Sequence, residues 1–193
     1  MPLKTSEIRW FSNSKKELWK IFSNLEEKGA GAAEGERSDY YLKSSTPSAG
    51  IKIREGNHEM KVKTAEDEPV NSGLIQHWSK WSYQEEQNIL NSALLQDWIE
   101  VRKTRFKKNY VVIAGEVKFT SAEDIKEKCE VEFTKIEIPA IDYAGFTLGL
   151  EASGSNEKEN LKTALQGISL DEEILKKLES CSYPEFLANL LSG

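Results

Sequence analysis

The sequence predicts an α+β fold, namely a single-domain antiparallel eight-stranded β-barrel, a tunnel, with flanking helices. Strand-like patterns dominate from residue 50 to about residue 152, helical patterns lie near both ends of the chain, and no linker divides its 193 residues. About eight strands in this length favour a closed or nearly closed barrel. One domain is therefore expected over 1–193, with the barrel at roughly 5–152 and C-terminal helices at roughly 156–192.

The first fifty residues predict a strand, a helix and a second strand. Residues 5–11, "TSEIRWF", alternate as a strand, and 13–29 predict an amphipathic helix that Asn13 or Ser14 caps and Gly29 ends. A loop of small residues is expected at 29–37. A short strand, "SDYYLK", and a turn, "SSTPSAG", complete this region.

The middle of the chain supplies the remaining predicted strands, separated by the polar connectors "TAEDEPVNSG" and "TSAEDIKEKC". The second connector is also compatible with a helical turn. The strands are expected at 51–55, 58–64, roughly 74–83, roughly 99–107, 109–119, 129–138 and 145–152.

Three helical patterns follow at the C-terminal end: "NEKENLKTALQGI", "LDEEILKKLES" and "YPEFLANLL". Pro184 suits the first position of the last helix, and Ser182 suits its cap.

Composition and charge describe a soluble globular protein. The chain is 38% hydrophobic and 30% charged, with a net charge of −6, which argues against nucleic acid or an anionic membrane as a partner. Its longest apolar run, "YVVIA", is far shorter than the ~20 residues that cross a bilayer. The N-terminal residues show no signal-peptide core, so a cytoplasmic location is expected.

The cysteines and histidines exclude several kinds of metal site. Cys129 and Cys181 have no metal or redox spacing, and they are expected as buried small hydrophobic residues. His58 and His77 are the only histidines, so a histidine-rich site is excluded. Any metal would need oxygen ligands, which suit a hard ion.

Charged side chains alternate with apolar ones along several predicted strands. In any one strand, the ordinary explanation is a solvated face or a cross-strand ion pair. A closed barrel sends alternate side chains into its lumen, so several such strands would together line a charged channel. We favour that second interpretation for Lys52, Arg54, Lys61, Lys63, Lys103, Arg105, Glu130 and Glu132.

The order of these charged strands resembles the CYTH domain family, the triphosphate tunnel metalloenzymes. The match begins at Glu7, includes "DYYL" from Asp39, and extends through "FTLGLEA" and "SYPEFL" to Leu187. The resemblance implies binding of a triphosphate or polyphosphate-like small molecule, with hydrolysis of the terminal phosphoanhydride assisted by Mg or Mn. It assigns phosphate binding to Lys52, Arg54, Lys61, Lys63, Lys103 and Arg105, catalysis to Glu130 and Glu132, and metal binding to Glu7, Glu130, Glu132 and Glu151, and we add Arg9 to the candidate phosphate-binding residues.

The first strand departs from the family pattern, which reads E-x-E-x-K. In "EIRWF", Glu7 is kept, but Arg9 replaces the second glutamate and Phe11 replaces the lysine. A cation at that position would repel a divalent ion. Arg9 is therefore expected either as a further phosphate contact or as part of a salt bridge in an inactive site.

Three functions follow from this pattern. The first is a metal-dependent triphosphatase, and the second is a catalytically degenerate CYTH-like binding or regulatory module without turnover. The third is an adapter that binds a protein through the acidic, helical C-terminal segment. The aromatic residues Trp78, Trp81 and Trp98 are expected to pack, in preference to stacking on a base.

Overall fold

A closed ring of eight antiparallel strands forms the centre of the computed structural model, which describes residues 1–25, 33–84, 95–122, 125 and 127–192. Each strand of the ring pairs with two neighbours, so the predicted α+β barrel is confirmed. In ring order the strands are β1 (Leu3–Ser12), β10 (Tyr143–Ser153), β9 (Cys129–Ile138), β7 (Trp98–Ile113), β2 (Ala33–Leu42), β3 (Ala49–Arg54), β4 (Asn57–Lys63) and β6 (Gly73–Gln84), which pairs back to β1.

Three short strands extend this ring, and helices pack around it. The strands are β5 (Glu68–Val70) on β6, β8 (Glu116–Thr120) on β7, and β11 (Glu179–Ser180) on β1. The helices are α1 (Lys15–Asn24), α2 (Glu157–Gly167), α3 (Glu172–Leu175) and α4 (Tyr183–Ser192). Among the residues that the structure describes, no helix combines the length and the apolar character that crossing a bilayer requires.

The expectation of two strands at 99–107 and 109–119 is wrong, because β7 continues without a break to Ile113. The turn lies instead at Ala114 and Gly115, whose positive φ angles of 52° and 80° reverse the chain into β8. Lys108, which lies at the expected gap between those two strands, is buried on the outside of β7. Its ammonium donates to the carbonyl oxygen of Leu25 at 2.9 Å, where the end of α1 leaves carbonyls unpaired.

Other boundaries also differ from the prediction. The expected loop at 29–37 is wrong from residue 33 onward, where β2 begins, and its earlier residues lie outside the described part of the chain. The pattern at 170–180 forms only the single turn of α3 and the strand β11. Ser182 caps α4 as expected, since its Oγ accepts the N–H of Glu185 at 3.3 Å, but Pro184 is the second residue of that helix.

The outer face of the barrel carries one hydrophobic core. Outward residues of β1, β9 and β10 pack under α1, α2 and α3, as alternation along each strand predicts. Phe22 of α1 and Phe133 of β9 are each 1% exposed, and Trp19 packs edge-on against Phe133. Both cysteines are buried and free, as expected.

A second hydrophobic core closes one end of the barrel from inside. The inward side chains at this end are apolar, and α4 packs onto them. Phe186 of α4 stacks on Phe11 with ring centroids 4.0 Å apart, and Tyr183 meets the same ring edge-on. The polar part of the lumen is therefore confined to the other end.

Candidate functional site

A cavity of about 470 Å³ occupies the barrel above this apolar end, and residues of all eight ring strands line it. Tyr183 and Pro184 of α4 line its closed side. Trp81 and Ser82, both of which are exposed, line its other side. The strand alternation therefore builds an internal chamber, because inward residues of every strand reach the same space.

Most of the basic and acidic side chains lie on different walls of this cavity, with Arg9 and Glu59 as the exceptions. The basic wall comprises β7, β2, β3, β4 and β6, and the acidic wall comprises β1, β10 and β9. Nine basic side chains face five carboxylates among the lining residues, although the whole chain is acidic. The basic residues are Arg9, Arg37, Lys52, Arg54, Lys61, Lys80, Lys103, Arg105 and Lys107, and the acidic ones are Glu7, Glu59, Glu130, Glu132 and Glu151.

The structure brings nearly all of the predicted site residues together in this cavity. Six of the seven predicted phosphate-binding residues and all four predicted metal-binding glutamates line it. Lys63 is the exception. It pairs with Asp67 at 2.8 Å, and Asp67 also accepts from Gln76, whose amide reaches Glu185 of α4. Lys63 thus lies beside α4 at the closed end of the barrel, although it is two residues from Lys61 and therefore on the same face of β4.

Four charged residues of the cavity are not among the residues that the sequence pattern predicts: Arg37, Glu59, Lys80 and Lys107. Lys107 lies two residues after the predicted pair Lys103 and Arg105 on β7. Glu59 lies two residues before the predicted pair Lys61 and Lys63 on β4. The alternation of the strands could therefore have identified both residues. Arg37 lay in a segment expected as a loop. Lys80 lay between tryptophans whose role was expected to be packing, and Trp78 does pack at 1% exposure.

Asp39 organises the deepest part of the basic wall. This fully buried carboxylate accepts from Lys103 Nζ at 2.8 Å and lies 3.1 Å from Arg37 Nε and 3.7 Å from Lys52 Nζ. Burial alone would raise the pKa of Asp39, but the surrounding cations, Lys103 first, hold it well below the usual value. Asp39 therefore stays ionised and fixes three cations at the cavity surface.

Glu132 plays the same part on the acidic wall. Its Oε1 accepts from Arg9 Nη1 at 3.0 Å, and its Oε2 accepts from Arg105 Nη1 at 2.8 Å. Burial opposes its ionisation, yet the coulombic attraction of Arg9 and Arg105 lowers the pKa of Glu132 well below normal. Both oxygens of this carboxylate are thus bound by guanidinium groups.

The other glutamates of the acidic wall are also paired. Glu7 Oε1 accepts from Lys61 Nζ at 2.6 Å, and Glu151 Oε2 accepts from Lys80 Nζ at 2.6 Å. Glu130 Oε2 lies 3.4 Å from Lys128 Nζ and 3.7 Å from Lys107 Nζ. On the basic wall, Glu59 pairs with Lys52 and Arg54.

Two lysines are weakly basic because they are buried. Burial lowers the pKa of Lys103 to about 7 even though Asp39 favours its charged form, and burial lowers the pKa of Lys61 to about 8 against the attraction of Glu7. Both ammonium groups also lie over aromatic rings, Lys103 at 3.9 Å from the centroid of Tyr183 and Lys61 at 4.0 Å from that of Trp78. The charge of the cavity lining therefore changes near neutral pH.

The four glutamates do not fit a divalent metal in this arrangement. Each is engaged by protein cations, and within the described ranges no three Asp, Glu, His or Cys side chains are grouped as metal ligands. A hard cation such as Mg would need several carboxylate oxygens free of such partners. The expected Mg or Mn site stays a prediction that these contacts do not support.

Comparisons with known proteins add little to this geometry. No family model matches the sequence, and no curated protein matches it. Among solved structures, the chain is similar to the PH1012 protein from Pyrococcus horikoshii OT3, with 14% sequence identity and a TM-score of 0.48 over 98% of this chain and 99% of that one. A similarity of this size establishes neither a family nor a function.

Proposed function

We propose that this protein binds a triphosphate or polyphosphate-like anion inside the barrel. The supporting observation is the convergence of nine basic side chains on one internal cavity that is closed on one side by α4. An oligophosphate presents many oxygen acceptors along a short chain and needs several donors to replace its water. Arginine offers a planar fork for two of these oxygens, and lysine offers a compact point charge.

The carboxylates of the cavity preorganise these donors without using all of them. Asp39 and Glu132 each hold cations from different strands at fixed positions, so little side-chain entropy remains to be lost on binding. A guanidinium has five N–H donors, and a salt bridge uses only some of them. A bound phosphate would therefore add to the existing ion pairs and would not have to break them.

Hydrolysis is the less supported part of the resemblance. Glu130 and Glu132, the expected catalytic residues, are both paired with basic side chains, and Glu132 has no oxygen free of a guanidinium contact. We therefore propose a binding or regulatory module without turnover, in preference to a metal-dependent triphosphatase. Phosphate release from tripolyphosphate in Mg or Mn that is lost in Glu130→Gln would overturn this preference.

Calorimetric titration of tripolyphosphate at low salt tests the binding proposal. Arg105 points into the cavity and Arg102, three residues earlier on β7, is exposed outside it, where it pairs with Glu100. Loss of a charged donor typically costs about 1.5–3 kcal/mol, so Arg105→Gln is expected to weaken binding by about tenfold or more. Arg102→Gln should leave the affinity unchanged. Absence of any binding by the unmodified chain would refute the proposal.

A further inference from the structure

We propose that the Arg9 guanidinium serves as a built-in cation of the acidic wall, so that the cavity binds its anion without a divalent metal. This inference rests on the proposed binding function and adds a statement about its cofactor. It concerns the place where β1, β10 and β9 lie side by side, with Arg9 in register with Gly149 and Gly149 in register with Glu132.

The contacts of Arg9 cross the acidic wall. Its Nη1 donates to Glu132 Oε1 at 3.0 Å and to Thr147 Oγ1 at 2.9 Å. Arg105, from the neighbouring strand β7, binds the other oxygen of Glu132. A positive charge therefore already occupies Glu132, one of the carboxylates that a divalent ion would have to use.

A glycine makes room for this group. A Cβ atom at Gly149 would lie 2.7 Å from Arg9 Cζ and 2.7 Å from its Nη2, so a larger residue would displace the guanidinium. On its other side, Arg9 Cζ lies 4.9 Å from the centroid of the Tyr183 ring. Arg9 is only 8% exposed. The position is thus a shaped site for a planar cation, with the glycine backbone on one side and an aromatic ring on another.

Arg9 also keeps donors for a ligand. The hydrogen bonds that it makes to the described residues all come from Nη1, so Nε and Nη2 donate to none of them. Arg9 lines the cavity, and because its Nε is buried away from that space, Nη2 is the donor that a phosphate oxygen would find there. Burial disfavours its charged form, but Glu132 raises the pKa of Arg9 above its usual value, so the charge persists at every physiological pH.

A metal-free comparison on the unmodified chain tests the inference directly. Tripolyphosphate is titrated by calorimetry in EDTA and again in excess Mg. We expect full affinity in EDTA, and an equal or lower apparent affinity in Mg because Mg also complexes the free ligand. Binding that requires Mg would overturn the inference and leave the proposed function standing. Absence of binding in both conditions would overturn both.

A charge reversal provides the second arm. Arg9→Glu removes the internal cation and adds a carboxylate beside Glu132, so we expect it to create Mn(II) binding, measured by electron paramagnetic resonance of the free ion. The same variant should lose about tenfold or more of its tripolyphosphate affinity in EDTA. Lys4→Glu is the matched control, since Lys4 is exposed on the same strand.

The outcomes of this arm are distinct. Mn(II) uptake by the unmodified chain that disappears in Glu132→Gln would show that the acidic wall already holds a metal, and would overturn the inference. Mn(II) uptake by Lys4→Glu equal to that of Arg9→Glu would overturn it as well. Circular dichroism establishes whether Arg9→Glu folds, and if it does not, the EDTA comparison decides alone.

Discussion

Lys103 shows how a single buried residue can couple anion binding to protons. Its ammonium lies 2.8 Å from Asp39 and 2.7 Å from the Tyr41 hydroxyl, and its pKa is about 7 because burial disfavours the charge. A phosphate nearby would favour the charged form and raise this pKa. The titratable and charged groups that face Lys103 are Asp39 and Tyr41 on β2, Lys52 on β3, Glu132 on β9 and Tyr183 on α4.

The affinity for tripolyphosphate is therefore expected to fall as the pH rises from about 7 to about 9. In this window most Lys103 side chains have lost their proton before the anion binds. Anion binding must then restore that proton, so the affinity falls by up to about tenfold per pH unit. Tripolyphosphate also loses its last proton above neutral pH, but this contribution of the ligand is common to every variant, so the difference in proton uptake between variants reports on the protein. Calorimetry in two buffers of different ionisation enthalpy measures the proton uptake.

Lys103→Met should lose most of this uptake, whereas Lys135→Met, at an exposed outward position of β9, should keep it. An affinity that is constant across the window would contradict the assignment. Lys61, whose pKa is about 8, should add a smaller proton uptake of the same sign. That uptake should persist in Lys103→Met.

A substitution at Gly149 tests how closely the Arg9 guanidinium packs against this glycine, with the stability of the folded chain as the only measurement. Gly149→Ala places a Cβ against the buried guanidinium, and overpacking of this kind costs about 1–3 kcal/mol in the free energy of unfolding. Gly35→Ala is the control, because a Cβ there meets nothing within 4 Å. Urea denaturation compares the two midpoints. Equal midpoints would mean that the guanidinium moves aside at no cost.

At the scale of elements, α4 decides where the polar lumen ends. Phe186→Ala removes the ring that stacks on Phe11 and meets Tyr143 edge-on, and truncation of a buried Phe costs about 3–5 kcal/mol. Asn189→Ala, on the exposed side of the same helix, should stay within about 0.5 kcal/mol of the unmodified chain. Thermal unfolding distinguishes the two. If both variants are equally stable, α4 contributes little to the closure of the barrel.

The elements also show what the sequence could predict. Alternation identified the inward faces because a strand places every second residue on one side, and β9 agrees with its expected bounds. Alternation does not say how far along the lumen a residue lies, so Lys63 was expected in the cavity although it lies beside α4. Charge pairing was equally hidden, since Arg9 and Glu132 are 123 residues apart and only the ring order brings them together.

At the scale of the whole molecule, the fold separates charge of opposite sign. The chain has a net charge of −6, yet basic groups outnumber acidic ones in the cavity by nine to five, so the surface outside carries the acidic excess. An anion approaching from outside is thus repelled at long range and attracted only inside. Salt screens exposed charges over a Debye length of about 10 Å at 0.1 M and screens buried groups less.

Tripolyphosphate is therefore expected to raise the melting temperature of the protein, and added salt is expected to reduce this increase only in part. At about 100 times its dissociation constant, a ligand adds about 2.7 kcal/mol to the free energy of unfolding, which for a chain of this size corresponds to about 5–10 °C. Sulfate at matched ionic strength is the control, because a single tetrahedral anion contacts too few of the nine basic groups. A scanning fluorimetry series over both anions and a range of NaCl concentrations measures this. Equal shifts for the two anions would mean that bulk electrostatics, and not the geometry of the cavity, accounts for the stabilisation.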